Sequence, residues 1–403
     1  MAWGTETEPV RFTGGRGELA WTLLRGYALM LPTIGLYRFW LTTAKRRFYW
    51  SNTEIGGDAL EYTGSATQLL LGFLMALAVF VPLYGLFFYL STQSSEAAVV
   101  GYAAVGVILW FLMGYAIYRA RDFRLSRTLW RGIRFDQQGS AWNYALRRFL
   151  WSLLVIVTVG LAYPFMAVSL WRYRYCNSWF GDRQFGFTGG LKELAGPYYL
   201  AWLLAGLAGL IAVVAAYEGG AFPEGGGAAT DAAAYLPLVL GALVAGVVIT
   251  VYRATEMTRM FSAVRLGEAA LSVTVSPWRL LGQYLAFGLA LVGIYILLAV
   301  GGFVVLQAVA GAAFSDGGFD MTVFMQHMQS SLLTLAAIIV GYLLILAGFS
   351  WASELFLGYG FWRLVARGAR ISGLETLASV RARGEDRAIG GEGLADALNV
   401  GAY

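Results

Sequence analysis

The sequence predicts an α-helical polytopic membrane protein built from tandem repeats, with short cytoplasmic β-hairpins between pairs of transmembrane helices. Three observations lead there. Hydrophobic residues make up 58% of the 403 and charged residues only 13%, about half the roughly 25% charged share of a soluble domain. Long apolar runs alternate with basic, aromatic segments, the pattern of a chain that crosses a bilayer several times. The stretch KRRFYWSNTEIGGDALEYTGSATQL, Lys45 to Leu69, also recurs. Gly35, Arg47, Asn52, Gly56, Thr63, Gly64 and Leu69 reappear as Gly160, Arg172, Asn177, Gly181, Thr188, Gly189 and Leu194, all at one offset. Such self-similarity is read before any local motif.

In order along the chain, Val10–Thr13 reads as a short strand. Two pieces, Leu19–Leu31 and Leu36–Trp50, are broken at Pro32-Thr-Ile-Gly35. Each is shorter than the roughly 20 residues that span a bilayer. One kinked span or a re-entrant pair would fit; the re-entrant pair keeps the strand on the side of the following hairpin. That hairpin has Asn52-Thr-Glu-Ile and Ala59-Leu-Glu-Tyr-Thr63 as arms and Gly56-Gly57 as its turn. Spans Gln68–Leu90 and Ala97–Tyr118 follow, then a connector, Arg119–Arg134, with six arginines. The second unit repeats this with Ile133-Arg-Phe-Asp, short helices Trp142–Val157 and Leu161–Cys176, hairpin Ser178–Gly189, and spans Pro197–Tyr217 and Ala234–Tyr252. A weaker third copy has basic helix Tyr252–Ala263, hairpin Val264–Val275, and spans Leu280–Ala308 and Leu332–Gly358. A truncated copy at Ala369–Glu375 and a Gly-rich, polar tail from Arg381, expected to be mobile, close the array. The units are 1–132, 133–252, 253–358 and 359–403.

Charge sets the expected orientation. The loops Ser91–Glu96, Glu218–Asp231 and Ala312–Ser330 hold acidic residues and no Lys or Arg. The 29 basic residues all lie between span pairs or at the two ends. By the positive-inside rule both termini and the hairpins are cytoplasmic. The start, MAWGTETEPVRF, has no apolar core, so no cleavable signal peptide is expected.

The pattern Arg11-Phe-Thr-Gly14, Glu18-Leu19, Thr33-Ile-Gly-Leu-Tyr-Arg-Phe-Trp40, Lys45-Arg-Arg-Phe-Tyr49, Asn52-Thr53 and Glu61-Tyr-Thr-Gly64 resembles the YjgN family of bacterial inner-membrane proteins. That family is defined as a domain of unknown function, and Gly391–Tyr403 is similar to the tail of its proteobacterial members. The third unit departs from the pattern, carrying Ala263-Val264 where Asn-Thr would stand. The resemblance implies an inner-membrane protein without an assigned reaction, with a membrane metallopeptidase or another envelope protein as a candidate partner.

Candidate functional residues are few. Lys45, Arg46, Arg47, Arg172 and Arg174 stand among aromatics beside apolar runs, which suits anionic lipid headgroups better than nucleic acid. Glu354, inside an apolar helix, and Arg38, in a short helix, form a candidate intramembrane polar site, with a headgroup-level location as the alternative for Glu354. Asn52 and Asn177 read as helix-ending residues whose side chains bond nearby backbone. The lone Cys176 excludes an internal disulfide, and the lone His327 excludes His-rich zinc or haem ligation. His327 with Asp316 and Asp320 lacks metal-ligand spacing, so no cofactor or metal is expected. Paired catalytic carboxylates, a phosphate-binding Gly-rich loop and a nucleophile elbow are missing. The sequence therefore favours a non-enzymatic membrane scaffold or envelope-maintenance role. A transporter or channel for a small solute or lipid, with its site between repeats, is the alternative.

Overall fold

The computed structural model describes residues 7–93, 95–222, 231–314 and 318–383. Its first elements are β1 (Thr7–Pro9), β2 (Arg11–Phe12), α1 (Arg16–Met30), α2 (Arg38–Ser51), β3 (Thr53–Ile55), β4 (Asp58–Ala59), β5 (Glu61–Tyr62), α3 (Ala66–Ser91) and α4 (Ser95–Ser126). Next come β6 (Thr128–Trp130), β7 (Ile133–Gln137), α5 (Ala141–Val157), α6 (Tyr163–Cys176), β8 (Ser178–Phe180), β9 (Arg183–Phe187), α7 (Leu191–Glu218) and α8 (Leu236–Ser262). The last are β10 (Val264–Leu266), β11 (Ala269–Val273), α9 (Pro277–Val309), α10 (Met321–Ser330), α11 (Leu332–Ala352), a π-helical segment Ser353–Gly358, α12 (Tyr359–Gly368) and β12 (Ala369–Ser372). Among the described residues, six helical stretches are long and apolar enough to cross a membrane: Ala66–Ser91, Ala98–Ser126, Leu191–Glu218, Ala232–Ser262, Pro277–Val309 and Leu332–Gly368. At most 17% of each apolar window is buried inside the protein. So much outward apolar surface suits lipid and not water.

The chain divides into two compact units. One comprises the N-terminal segment to Gly14, Arg38–Leu280 and the chain from Leu364 on. Its strands are very short, and pairs of such length are marginal alone. They gain stability by joining. One sheet runs β1-β12-β11-β10-β9-β8-β7-β6-β5 and the other β2-β3-β4. Only Val10 separates β1 from β2, and only Leu60 separates β4 from β5. Both breaks are bridged, by Val10 N–H to Ala369 O (3.0 Å) and Leu60 N–H to Thr53 O (2.9 Å). The two sheets are therefore one closed, antiparallel ring. Each hairpin's second arm pairs with its own first arm near the turn and with the next hairpin further on. In β7, Arg134 faces Leu129 while Phe135 faces Phe180; in β9, Gln184 faces Trp179 while Phe185 faces Leu266. This stagger is what closing a sheet into a barrel requires.

Inside the ring, Trp130, Phe180 and Leu266 are buried against Ile55, Phe135 and Phe185. Leu374 and Val380, beyond β12, complete this core. The first turn uses Gly56 and Gly57 at φ of +57° and +82°, the left-handed pair a two-residue hairpin favours. The β6–β7 turn has Arg131 at φ +50°, a strained value for a residue with a Cβ. That strain is offset by Arg131 Nε bonding Asp58 Oδ2 at 2.6 Å and by its guanidinium lying 4.6 Å from the Trp130 ring centroid.

Several expectations need correction. The second arm of the first hairpin is not one strand on β3: past Leu60 it leaves for β6, because closure staggers the ladder. The arginine-rich segment 119–134 is no mere connector. Helix α4 runs on to Ser126, and Thr128–Trp130 opens a hairpin with β7. The N-terminal strand starts earlier, at Thr7, because it pairs with β12 as well as β3. At the start of the tail, Arg381 is held, its N–H bonding Asp182 Oδ1 and its carbonyl accepting from Asp182 N–H; the tail from 384 on lies outside the described residues.

Packing within this unit relies on small residues, as helices in lipid require. A Cβ on Gly241 of α8 would fall 2.3 Å from Ala212 Cβ and 3.0 Å from Ala208 O of α7. The small-residue spacing Ala208/Ala212/Ala216 is thus a contact face. The α5–α6 pair, at 17 and 14 residues, turns at Val159-Gly160, with φ of +50° and +94°. Since β7 before it pairs with β8 after it, the chain returns to the side it left.

The second unit holds Gly15–Tyr37 and Leu281–Arg363. Helix α1 lies against α11 and the π-helical segment: Trp351 Nε1 bonds Ala20 O at 3.3 Å, and the Arg16 guanidinium sits 5.2 and 5.3 Å from the Phe356 and Tyr359 rings. Gly348 of α11 receives Ile294 of α9.

Ring closure by the two ends of the chain is directly testable. Glu8 faces Ile371 across the last strand pair. In a Cys176→Ser background, Glu8→Cys with Ile371→Cys should cross-link under mild oxidant, whereas Glu8→Cys with Trp179→Cys should not. Equal cross-linking of both pairs on denaturing gels would refute the ring.

Candidate functional site

The basic, aromatic clusters fold back onto the protein. Arg47 Nη2 donates to Gly64 O at 3.5 Å, and Arg172 Nη2 donates to Gly189 O at 3.2 Å. These matched bonds tie the end of each short helix to the start of the span after its hairpin. Arg46 Nη1 donates to the Tyr62 hydroxyl at 2.9 Å, with the guanidinium 5.6 Å from that ring. Arg174 packs over Trp171 at 5.0 Å. Lys45 is half-buried, whereas Arg47 and Arg172 keep exposed surface. Arg38 lies 5.3 and 5.2 Å from the rings of Phe39 and Phe73; Glu354 belongs to the other unit.

Asn52 and Asn177 have the same local task. Asn52 Nδ2 donates to Phe48 O at 2.8 Å and Asn177 Nδ2 to Tyr173 O at 2.7 Å, satisfying helix-end carbonyls. The next residues, Thr53 and Ser178, bond Tyr49 O and Arg174 O in the same way. His327 lies in α10, its Nδ1 3.3 Å from Val323 O, and Asp320 caps that helix. Asp316 lies outside the described residues, among which no three His, Cys, Asp or Glu gather as metal ligands.

Glu354 is 8% exposed and sits in the π-helical segment. Tyr27 of α1 lies within its electrostatic reach. The carboxylate therefore faces packed protein. A π-turn, with its widened hydrogen-bond ladder, often marks a functional position.

A second buried carboxylate stands out in the structure. Glu256, 5% exposed, accepts from the Tyr163 hydroxyl at 3.0 and 3.3 Å and from Arg253 Nη1 at 3.1 Å. Tyr163 stacks on Tyr198 at 5.1 Å, and Tyr198 meets Tyr252 edge-on at 5.2 Å. The Tyr252 hydroxyl is buried with no hydrogen-bond partner among the described residues. Tyr198 and Trp202 also donate to Gly160 O and Val159 O, gripping the turn between α5 and α6. The cluster could hold a cation, and the cation it holds is the chain's own Arg253. Only the Arg253/Glu256 spacing of three on the basic end of α8 signalled it in sequence.

With this geometry in view, comparison with known proteins adds one fact. Residues 7–293 match the family described as a bacterial protein of unknown function, DUF898, and the chain belongs to that family. The YjgN name is consistent with it. Neither the curated proteins nor the solved structures give a match.

The Glu256 cluster yields a stability prediction. Tyr163→Phe leaves a buried carboxylate with one donor fewer, and hydrogen bonds to charged groups contribute about 1.5–3 kcal/mol. Unfolding of the detergent-solubilised protein should shift down accordingly, while Tyr199→Phe, an exposed bond to Leu161 O, should cost less than about 1 kcal/mol. Equal effects would rule out the clamp.

Proposed function

We propose that this protein is a non-enzymatic scaffold of the bacterial inner membrane, organising lipids or envelope proteins from a cytoplasmic platform. The packed strand ring carries this reading. Its ten strand segments, counting β1 with β2 and β4 with β5 as one each, enclose aromatic side chains. A filled ring is a rigid platform, not a passage. The tandem organisation 1–132, 133–252, 253–358 and 359–403 is supported by bonds repeated at matched positions, Arg47 with Arg172 and Asn52 with Asn177. Placement of the ring and both termini in the cytoplasm, with the α1–α2 and α5–α6 pairs re-entrant, is supported by the absence of Lys and Arg from the three opposite loops. The exposed Arg47 and Arg172 are the headgroup contacts on this reading, each contributing about 1 kcal/mol toward an anionic surface.

In intact spheroplasts lacking Cys176, a membrane-impermeant maleimide should label Thr92→Cys and spare Gly57→Cys and Glu268→Cys. External labelling of either hairpin turn would overturn the placement.

Glu354 favours a second reading, transport of a proton or small solute past a buried carboxylate. The two readings separate in proteoliposomes carrying a pH gradient and a trapped pH-sensitive dye. A scaffold leaves the gradient as stable as in empty vesicles, for the native protein and for Glu354→Gln alike. A leak in the native protein that Glu354→Gln abolishes would replace the scaffold with a carrier.

A further inference from the structure

The outer face of the ring carries a basic pocket that the sequence reading did not single out. A cavity of about 400 Å³ is lined by Ser272, Thr274, Ser276, Arg279, Arg367 and Arg370, with Leu364 and Gly368 at its wall. Its volume falls in the usual range for small-molecule sites. All of these residues belong to the first unit, and no carboxylate is among them. Ser272 and Arg370 are cross-strand neighbours on β11 and β12. Arg370 precedes the core residue Ile371 and so points to the opposite side of the strand. Arg367 is in the last turn of α12 and Arg279 in the first turn of α9.

The equivalent places in the same ring show what is special here. Thr63 N–H bonds Arg127 O at 2.9 Å, Thr188 N–H bonds Ala263 O at 2.9 Å, and Thr274 N–H bonds Gly368 O at 3.0 Å. These three contacts put Arg127, Ala263 and Gly368 in register. At the first, the Arg127 side chain is 2% exposed and donates from Nε to Gln68 Oε1 at 3.2 Å, closing the gap from within. At the third, no side chain fits: a Cβ on Gly368 would fall 2.2 Å from Thr274 O. The residues around it become basic as well. Five positions beyond the threonine, Gln68 and Glu193 give way to Arg279; one position before the carbonyl, Ser126 and Ser262 give way to Arg367.

We infer that this pocket binds a phosphate oxyanion. Three guanidiniums supply paired N–H donors matched to phosphate oxygens, and the Thr274 and Ser276 hydroxyls supply further donors, while the Ser272 hydroxyl donates to Arg370 O at 3.3 Å. A phosphomonoester on a lipid headgroup and a soluble phosphate share this chemistry. The inference does not rest on the scaffold reading, since the site would bind equally in a carrier.

The test uses the full chain in phosphatidylcholine nanodiscs, comparing the native protein with Arg367→Gln/Arg370→Gln and with Arg367→Lys/Arg370→Lys. One arm titrates inorganic phosphate against sodium chloride of equal ionic strength; the other replaces part of the phosphatidylcholine with phosphatidic acid. Thermal unfolding is the readout. Stabilisation by inorganic phosphate identifies a soluble anion, and stabilisation by phosphatidic acid alone identifies a headgroup. In either case the Gln variant should weaken the effect about tenfold or more in apparent affinity, the loss expected for a charge-assisted pair, and the Lys variant should weaken it less. Because the altered side chains are exposed, both variants should unfold like the native protein without ligand. If neither ligand stabilises the native protein, or if the Gln variant responds as the native protein does, the site is refuted.

Discussion

The constraint on which the rest of the structure depends is that very short strands cannot be left with open edges. A strand of two or three residues offers too few ladder bonds and too little apolar surface to stay paired alone, and an unpaired edge invites association with other chains. Here the answer is closure. The segment Thr7–Phe12 pairs along its first half with β12 and along its second half with β3. The N-terminal strand thereby supplies the missing second arm for the strand after α12, and every hairpin gains two neighbours. The first unit's α5–α6 pair is positioned by this, because the chain leaves the ladder after β7 and returns to it at β8.

Such a ring demands a reliable hand-over from helix to strand. At three such junctions it is the same short-range bond: Thr53, Thr128 and Ser178 each reach back four residues to a helix carbonyl at 2.7–2.8 Å. A hydroxyl or amide at this position satisfies an acceptor that the helix leaves orphaned and lets the next residue take up extended geometry. The arginine bonds to Gly64 O and Gly189 O act at the other end of the hairpin, where the chain re-enters a helix. Charge in these clusters therefore serves the fold as well as any lipid surface.

Much of the architecture was legible because it is written in strong signals. Six apolar stretches, the Gly56-Gly57 turn, and the helix-ending Asn52 and Asn177 all correspond to elements found in the structure. What was missed has a common cause, which is that closure is a long-range property. Thr-Leu-Trp at 128–130 is too short and too close to arginines to read as a strand, and it is one only because β5 and β7 flank it. Nothing local in Thr7–Pro9 announces a partner more than 360 residues away at Arg370–Ser372. Likewise Glu256 is buried only because Tyr163 and Tyr198 arrive from other helices.

The departures from repetition are the informative residues. Where the pattern holds, as at Asn52 and Asn177, each side chain is accounted for by a local structural bond, and no further role is required of it. Where it fails, the residues answer to something other than that local bond. Gly368 lets the Thr274 carbonyl approach closer than any Cβ would permit, and arginines gather around the pocket beside it. Glu354 places a carboxylate among packed groups in a helix whose ladder has slipped to π geometry. A chain selected only for stability would keep an apolar residue at the Glu354 position, since buried charge is costly. Breaks of this kind are expected at functional positions, where local consistency yields to another demand. Both positions lie after residue 253, where the sequence is least similar to the first hairpin segment.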